Sequence, residues 1–149
     1  MVISILPDAR ITVSSVLNRD VKQFGSKYLT DGDEETCWNS HQGSPQYICA
    51  RLAAPRRPTE LQLQFQGGFA GGDCWLEAGD APDQLRRLHA FYPENVNRLQ
   101  TFPVDCPEPV THVKVVFNTS TDFFGRVVVY KFDLLADESP KTAADDPAT

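Results

Sequence analysis

Apolar and polar residues alternate with a period of two along most of the chain, which is the pattern of half-buried β-strands. The clearest run is residues 59–66, where Leu61, Leu63 and Phe65 alternate with glutamate and glutamine. Further runs, separated by turn residues, cover 10–17, 46–52, 74–77, 85–92, 99–104, 112–117 and 126–135. The pattern therefore predicts about eight short strands in a β-sandwich or a barrel, an all-β fold.

The last of these runs shows how the alternation assigns side chains to faces. It places Val127, Val129, Lys131 and Asp133 on one side of the strand, and Val128, Tyr130, Phe132 and Leu134 on the other. Only residues 20–29 interrupt the strand pattern with a short helix or turn.

The two ends of the chain differ in composition. The first residues form a short apolar run that Pro7 interrupts, without a basic start or a small-residue cleavage site, so we expect them to begin the fold. From residue 137 onward, Pro, Ala, Asp and Thr leave nothing to pack. We therefore expect one domain over residues 1–136 and an acidic, disordered tail over residues 137–149.

Charge and hydropathy narrow the classes of partner. The 149 residues include 14 Lys and Arg against 20 Asp and Glu, a net charge of −6, of which residues 137–149 carry −3 (one lysine, four acids). The chain has no block of Lys and Arg, so neither nucleic acid nor an anionic membrane is an expected partner. No run of 18 apolar residues is present, and we expect no transmembrane helix.

The cysteines indicate the compartment. Cys37, Cys49, Cys74 and Cys106 are widely spaced and form no Cys-x-x-Cys pair, which argues against zinc. An even count permits two disulfides, but without a secretion signal we favour free thiols. The expected location is intracellular, in the nucleus, the cytoplasm or both.

The densest polar feature is an acidic turn at residues 31–35. Four of these five residues are acidic, and Gly32 permits a sharp bend of the backbone. Oxygen ligands around a tight turn suit Ca²⁺, although the spacing is not that of an EF-hand loop. The alternative is an exposed acidic turn in which Thr36 bonds to the backbone.

At this turn the sequence resembles a known superfamily. Residues 28–40 contain the pattern D-G-D-x-x-T-x-W-polar-S, and residues 46–52 follow it with Q-Y-I and a strand ending in leucine. Both segments, with residues 61–69 and 121–130, are similar to discoidin or coagulation factor type C domains. The resemblance implies the galactose-binding-like fold, an eight-stranded antiparallel jelly-roll β-sandwich.

Other segments are similar to one small intracellular family of this fold. Residues 14–19, 91–94 and 99–103 resemble nuclear receptor-associated proteins, one of which is reported as a repressor partner of a testicular orphan receptor. The resemblance implies that the partner is a protein, either a nuclear receptor or a larger multi-subunit assembly.

The resemblance also implies candidate metal ligands. Many domains of this fold hold a structural Ca²⁺ beside the D-G-D turn, and Asp31, Asp33 and Thr36 match that turn. The glutamate that the last strand contributes has no counterpart here, because Lys131 falls near its position. The negative charge of the turn is therefore balanced either by a bound cation or by an ion pair between Lys131 and an acidic residue.

Loops at one end of this fold commonly capture ligands such as sugars or lipid headgroups. The candidate partner-binding residues in and beside these loops are His41, Phe69, Trp75, Phe123 and Arg126. Trp38 and Tyr47 are expected in the core, and Phe124 is expected to be buried under Gly125.

Motifs for catalysis are missing from the sequence. It contains no Gly-x-Ser-x-Gly elbow, phosphate loop, dinucleotide fingerprint or His pair at metal-ligand spacing. We therefore expect a non-catalytic protein-binding module, an adaptor or regulator that uses loop and sheet-face recognition. The alternative is a calcium- or carbohydrate-binding module.

Overall fold

Two antiparallel β-sheets pack face to face in the computed structural model, which describes residues 1–138. Sheet A has the order β1-β10-β5-β8, with β3 also paired to β10, and sheet B has the order β2-β4-β9-β6-β7. The described residues form ten strands: β1 Val2–Ser4, β2 Arg10–Val13, β3 Trp38–Asn39, β4 Gln46–Arg56, β5 Glu60–Phe65, β6 Cys74–Gly79, β7 Arg86–Phe91, β8 Leu99–Pro103, β9 Val110–Phe117 and β10 Val128–Asp137.

The predicted all-β sandwich is confirmed, since each run of alternating residues forms a strand. The strands beyond the predicted eight are the short β1 and β3. The interruption at residues 20–29 contains helix α1, Val21–Phe24, and a 3-10 helix, Ser26–Leu29, after a 3-10 turn at Leu17–Arg19. Within residues 1–138, no helix is long and apolar enough to span a membrane. Apart from Asp137 and Glu138, the predicted acidic tail lies outside the described residues.

The core lies between the sheets and is built from the inward-facing positions of each strand. In β5, Leu61, Leu63 and Phe65 are fully buried, as their alternation predicts. The ring of Phe117 from β9 lies between Phe65 and Trp38, with centroid distances of 5.7 Å and 6.3 Å. Aromatic contacts therefore join sheet B to sheet A at the end where β4 begins.

The side-chain phase of β10 changes at a β-bulge. Val129 pairs with Phe65 and Lys131 pairs with Gln64, which leaves Tyr130 as an extra residue in the ladder. Val129 and Phe132 therefore both face the core, although simple alternation would put them on opposite sides. The predicted assignment of faces in this strand is wrong beyond the bulge.

The alternation in β5 gives a direct stability test. Leu63→Ala removes a fully buried side chain, and we expect it to lower the free energy of unfolding by about 2–5 kcal/mol. Gln62→Ala, on the outer face of the same strand, should change the free energy by about 0.5 kcal/mol or less. Urea unfolding measures both values, and equal losses would contradict the assigned faces.

Candidate functional site

Four connecting segments meet at one end of the sandwich, and we call this region the loop end. It comprises residues 14–16 after β2, residues 39–45 from the last residue of β3 to the start of β4, residues 67–73 between β5 and β6, and residues 118–127 between β9 and β10. Hydrogen bonds between these segments fix their relative positions.

The buried side chain of Gln46 joins the first two segments. Its carbonyl oxygen accepts hydrogen bonds from the hydroxyls of Ser14 and Ser15, and its amide nitrogen donates to the carbonyls of His41 (3.1 Å) and Gly43 (2.8 Å). An amide side chain has two acceptor and two donor positions, so Gln46 uses its full capacity. Residues 39–45 are therefore held against residues 14–16.

Arg126 joins the other segments. Its guanidinium lies 4.8 Å from the ring centroid of Phe69, and Nη2 donates to Asn39 Oδ1 at 2.6 Å. Its Nε is buried, and no hydrogen-bond partner for it exists among the described residues. Arg126, which belongs to residues 118–127 and is half-exposed, thus contacts two of the other segments, residues 39–45 and 67–73.

Backbone hydrogen bonds complete the loop end. Thr121 N–H donates to the carbonyl of Ala70 at 2.8 Å, and Gly72 N–H donates to that of Thr119 at 2.9 Å. Gly125 has φ +86°, and a Cβ there would lie 2.8 Å from the carbonyl carbon of Gly43. Only glycine permits this backbone conformation and close approach without strain.

The approach of Gly125 leaves two aromatic side chains exposed. Phe123 is 91% exposed and Phe124 is 59% exposed, with their rings edge to face at 5.1 Å. The prediction that Phe124 is buried under Gly125 is wrong. The backbone of Gly43 packs against Gly125, and its N–H donates to the carbonyl of Phe124, so Gly43 occupies the position that the prediction gave to the Phe124 ring.

The other candidates fall in two places. His41 is exposed in the loop end, where its backbone N–H donates to Ser15 Oγ at 3.0 Å. Trp75 lies outside the loop end, on the outer face of β6, where Arg87 covers its ring at 3.9 Å and Glu77 accepts from its indole N–H at 2.8 Å.

Tyr47 is not the core residue that the sequence predicts. It is half-buried on the outer face of β4, and the ammonium of Lys114 lies 4.3 Å from its ring centroid. Its neighbour Ile48 points inward and is fully buried, so the alternation requires Tyr47 to point outward. Trp38, in contrast, is fully buried as predicted, and its indole N–H donates to the carbonyl of Ser15 at 2.8 Å.

The acidic turn is closed by its own hydrogen bonds. Asp31 accepts from the backbone N–H of Asp33 (3.0 Å) and from the hydroxyl of Thr36 (2.6 Å), and Asp33 accepts from the N–H of Glu35 (2.9 Å). Across residues 1–138, no three His, Cys, Asp or Glu side chains are placed to hold a metal ion. The carboxylates of Asp31 and Asp33 are thus engaged by groups of the turn itself.

Lys131 lies near the turn and forms no ion pair with any residue of the described range 1–138. It lines a groove together with Gly32 and Thr30, while the ion pair found in the described part of the chain joins Arg98 and Glu94. The predicted pair between Lys131 and an acidic residue is therefore not formed, and the four acids of the turn stay exposed to solvent.

The cysteines are free thiols without the features of a nucleophile. Burial raises the pKa of all four, and it raises the pKa of Cys74 to about 12. At Cys37, the amide of Asn39 and the charge of Arg126 oppose this rise but do not cancel it. Since the thiolate is the reactive form, none of these groups is activated at neutral pH.

Two antiparallel sheets packed face to face, with loops joined at one end, are the architecture of the galactose-binding-like fold, and solved structures share this fold. The family 32 carbohydrate-binding module of Clostridium perfringens NanJ, in complex with galactose, has a TM-score of 0.76 and 13% identity, covering 91% of this chain and 99% of that one. An F5/8 type C domain from Bacteroides fragilis has a TM-score of 0.75 and 14% identity, covering 88% and 93%. No family model matches the chain.

Closer relatives identify the family within this class. The chain is 50% identical over 126 residues to the nuclear receptor 2C2-associated protein of Danio rerio, covering 85% of this chain and 89% of that protein. It is 46% identical over 134 residues to the Homo sapiens protein of the same name, covering 90% and 96%. The chain belongs to the nuclear receptor 2C2-associated protein family.

The hydrogen bonds of Gln46 predict a large effect of its loss. Gln46→Leu leaves two hydroxyls and two carbonyls without their partner, and we expect it to lower the free energy of unfolding by about 2–4 kcal/mol. Gln42→Leu is the matched control, because Gln42 is exposed in the same loop. Chemical denaturation measures both, and a similar effect of the two substitutions would contradict the proposed role of Gln46.

The geometry of the acidic turn predicts that Ca²⁺ does not stabilise the domain. A ligand that binds only the folded state raises the melting temperature. We therefore expect equal melting temperatures in excess CaCl₂ and in excess EGTA. A rise in CaCl₂ that Asp31→Asn abolishes would show instead that the turn opens to take up the ion.

Proposed function

We propose that this domain is a non-catalytic protein-binding module that acts in the nucleus or cytoplasm as an adaptor or regulator of a nuclear receptor. Its contact surface is the loop end, and the observation that carries the proposal is the exposed Phe123–Phe124 pair. The names of the relatives support the kind of partner, since each is called a nuclear receptor 2C2-associated protein.

Energetics support this use of the two phenylalanines. Burying a phenylalanine side chain contributes about 1.5–3 kcal/mol, so an exposed pair is a concentrated source of binding free energy. Aromatic residues are enriched at protein interfaces, and a few of them dominate the affinity. The pair is therefore suited to anchor a partner protein.

The loop that carries the pair is already ordered. Gly43 N–H donates to the carbonyl of Phe124 at 2.8 Å, Asp122 accepts from the N–H of Arg126 at 3.0 Å, and Ser120 donates to the carbonyl of Arg126 at 2.7 Å. A surface that is ordered before binding loses less conformational entropy when it binds.

Arg126 and His41 add polar groups to the loop end. Arginine is enriched at protein interfaces because its planar guanidinium both stacks and donates several hydrogen bonds. Here one side of Arg126 contacts Phe69, while the residue as a whole is half-exposed. The loop end thus offers both apolar and polar side chains to a partner.

A protein partner fits this surface better than a sugar. Sugar recognition needs an uncovered aromatic face, yet Arg126 covers Phe69 and Arg87 covers Trp75. The exposed rings of Phe123 and Phe124 contact each other edge to face, which leaves ring surface open to a partner of either kind. The carbohydrate alternative therefore gains no support at Phe69 and Trp75, and the names of the relatives favour a protein at the exposed pair.

The direct test replaces the exposed pair. We expect Phe123→Ala together with Phe124→Ala to weaken binding to nuclear receptor 2C2 by about tenfold or more, because each ring supplies apolar contact area. The melting temperature should stay nearly unchanged, since both rings are solvent-exposed. Isothermal titration calorimetry and thermal unfolding measure the two quantities.

A control uses another exposed apolar side chain. Val2 is 40% exposed in β1 and pairs with Asp137, at the end of β10 away from the loop end. Val2→Ala should leave the receptor affinity unchanged. An undiminished affinity of the double variant, or an equal loss in the control, would refute the assignment of the loop end as the contact surface.

A further inference from the structure

Basic side chains lie in register across the outer face of sheet B. Arg10 of β2 pairs directly with Arg51 of β4, and Arg51 pairs with His112 of β9. Lys114 is two residues further along β9 and so lies on the same face. These four residues line a groove of about 370 Å³, with Pro82 and Leu85 also among its lining residues. We call it the sheet B groove.

Among residues 1–138, no acidic residue lines the sheet B groove. In the described part of the chain the ion pair that forms is Arg98–Glu94, so Arg10, Arg51 and Lys114 have no carboxylate partner there. Glu77 pairs with Lys114 in register, but its carboxylate accepts from the indole N–H of Trp75. The ammonium of Lys114 lies over the ring of Tyr47 instead.

This arrangement opposes the stability of the sheet. Like charges directly opposite each other on neighbouring strands are destabilising, and here Arg10 faces Arg51. The chain has 20 acidic residues and a net charge of −6, yet none of the acids within residues 1–138 lines the groove. An anionic ligand would remove the repulsion by pairing with both guanidinium groups.

We propose that the sheet B groove binds an acidic peptide segment of a partner protein through the carboxylates of that segment. The groove is separate from the loop end, so this proposal does not rest on the Phe123–Phe124 pair. Arginine pairs with carboxylates through two parallel hydrogen bonds, which gives Arg10 and Arg51 a specific role.

The dimensions of the groove fit an extended peptide. Neighbouring strands are about 4.8 Å apart, so the row from Arg10 to His112 spans about 10 Å. Alternate side chains of an extended peptide are about 7 Å apart on one face, so two acidic residues separated by one residue reach this row. Pro82 and Leu85 offer apolar contacts to the residues beside them.

The charge of the whole chain favours a short segment over a large polyanion. A nucleic acid or an anionic membrane presents charge far beyond the groove, where the net charge of −6 repels it. A short acidic segment brings its carboxylates into the groove alone, so it gains the attraction without most of the repulsion.

The test measures fluorescence anisotropy of a labelled octapeptide that alternates glutamate with alanine, added to the full chain at low salt. We expect saturable binding of this peptide. The double variant Arg10→Gln with Arg51→Gln should weaken its affinity about tenfold or more, because two charge-assisted pairs are lost. The double variant should melt at the same temperature or higher, because it removes a cross-strand repulsion.

The control matches the change of net charge. Lys22→Gln together with Arg98→Gln also removes two positive charges, at exposed positions outside the groove, and should keep the affinity. Phe123→Ala with Phe124→Ala should keep it as well, which separates this proposal from the function of the loop end.

Several outcomes would overturn the proposal. One is equal affinity for a peptide with glutamine in place of glutamate, and another is an equal loss in the charge-matched control. Tighter, groove-dependent binding of a single-stranded oligonucleotide or of phosphatidylserine vesicles would assign the groove to a polyanion. A large gain in peptide affinity on deletion of residues 139–149 would assign it to the chain's own acidic end.

Discussion

The loop end depends on the buried amide of Gln46. Gln46 is the first residue of β4, so its side chain lies where sheet B ends and the loops begin. The hydroxyl of Ser15, which donates to it, also accepts from the N–H of His41, while the carbonyl of Ser15 accepts from the indole of Trp38. The aromatic core and the loops are therefore joined through one polar network. A buried network of this kind stabilises one arrangement only when each of its groups is paired.

Two surfaces of different chemistry are fixed on this scaffold. The loop end presents an exposed aromatic pair, and the sheet B groove presents cations that have no carboxylate partner within residues 1–138. In the two proposals, the first surface gains free energy by removing apolar area from water, and the second by pairing charges, which also speeds association. A partner that contacted both surfaces would bind the second one intramolecularly, after it had bound the first. The resulting gain in affinity depends on whether the partner spans the distance between the two surfaces.

Strands are predictable from this sequence because alternation is a local property. Residues 59–66 predict β5 almost to the residue, and the D-G-D pattern identifies the class of fold. The β-bulge at Tyr130 breaks the period of β10, but residues 127–130 are all apolar or aromatic, so the sequence does not show where the period shifts. The row of Arg10, Arg51 and His112 cannot be predicted from the sequence either. These residues are far apart along the chain, and only the register of the strands brings them together.

The claim that the loop end is the contact surface is tested most directly by amide hydrogen exchange with and without nuclear receptor 2C2. Exchange in exposed loops reports local opening, which a bound partner suppresses. The account predicts slower exchange in residues 41–45 and 119–126 of the complex, and unchanged exchange at the far ends of β4 and β10. Protection confined to other parts of the chain, with these two segments unchanged, would contradict it.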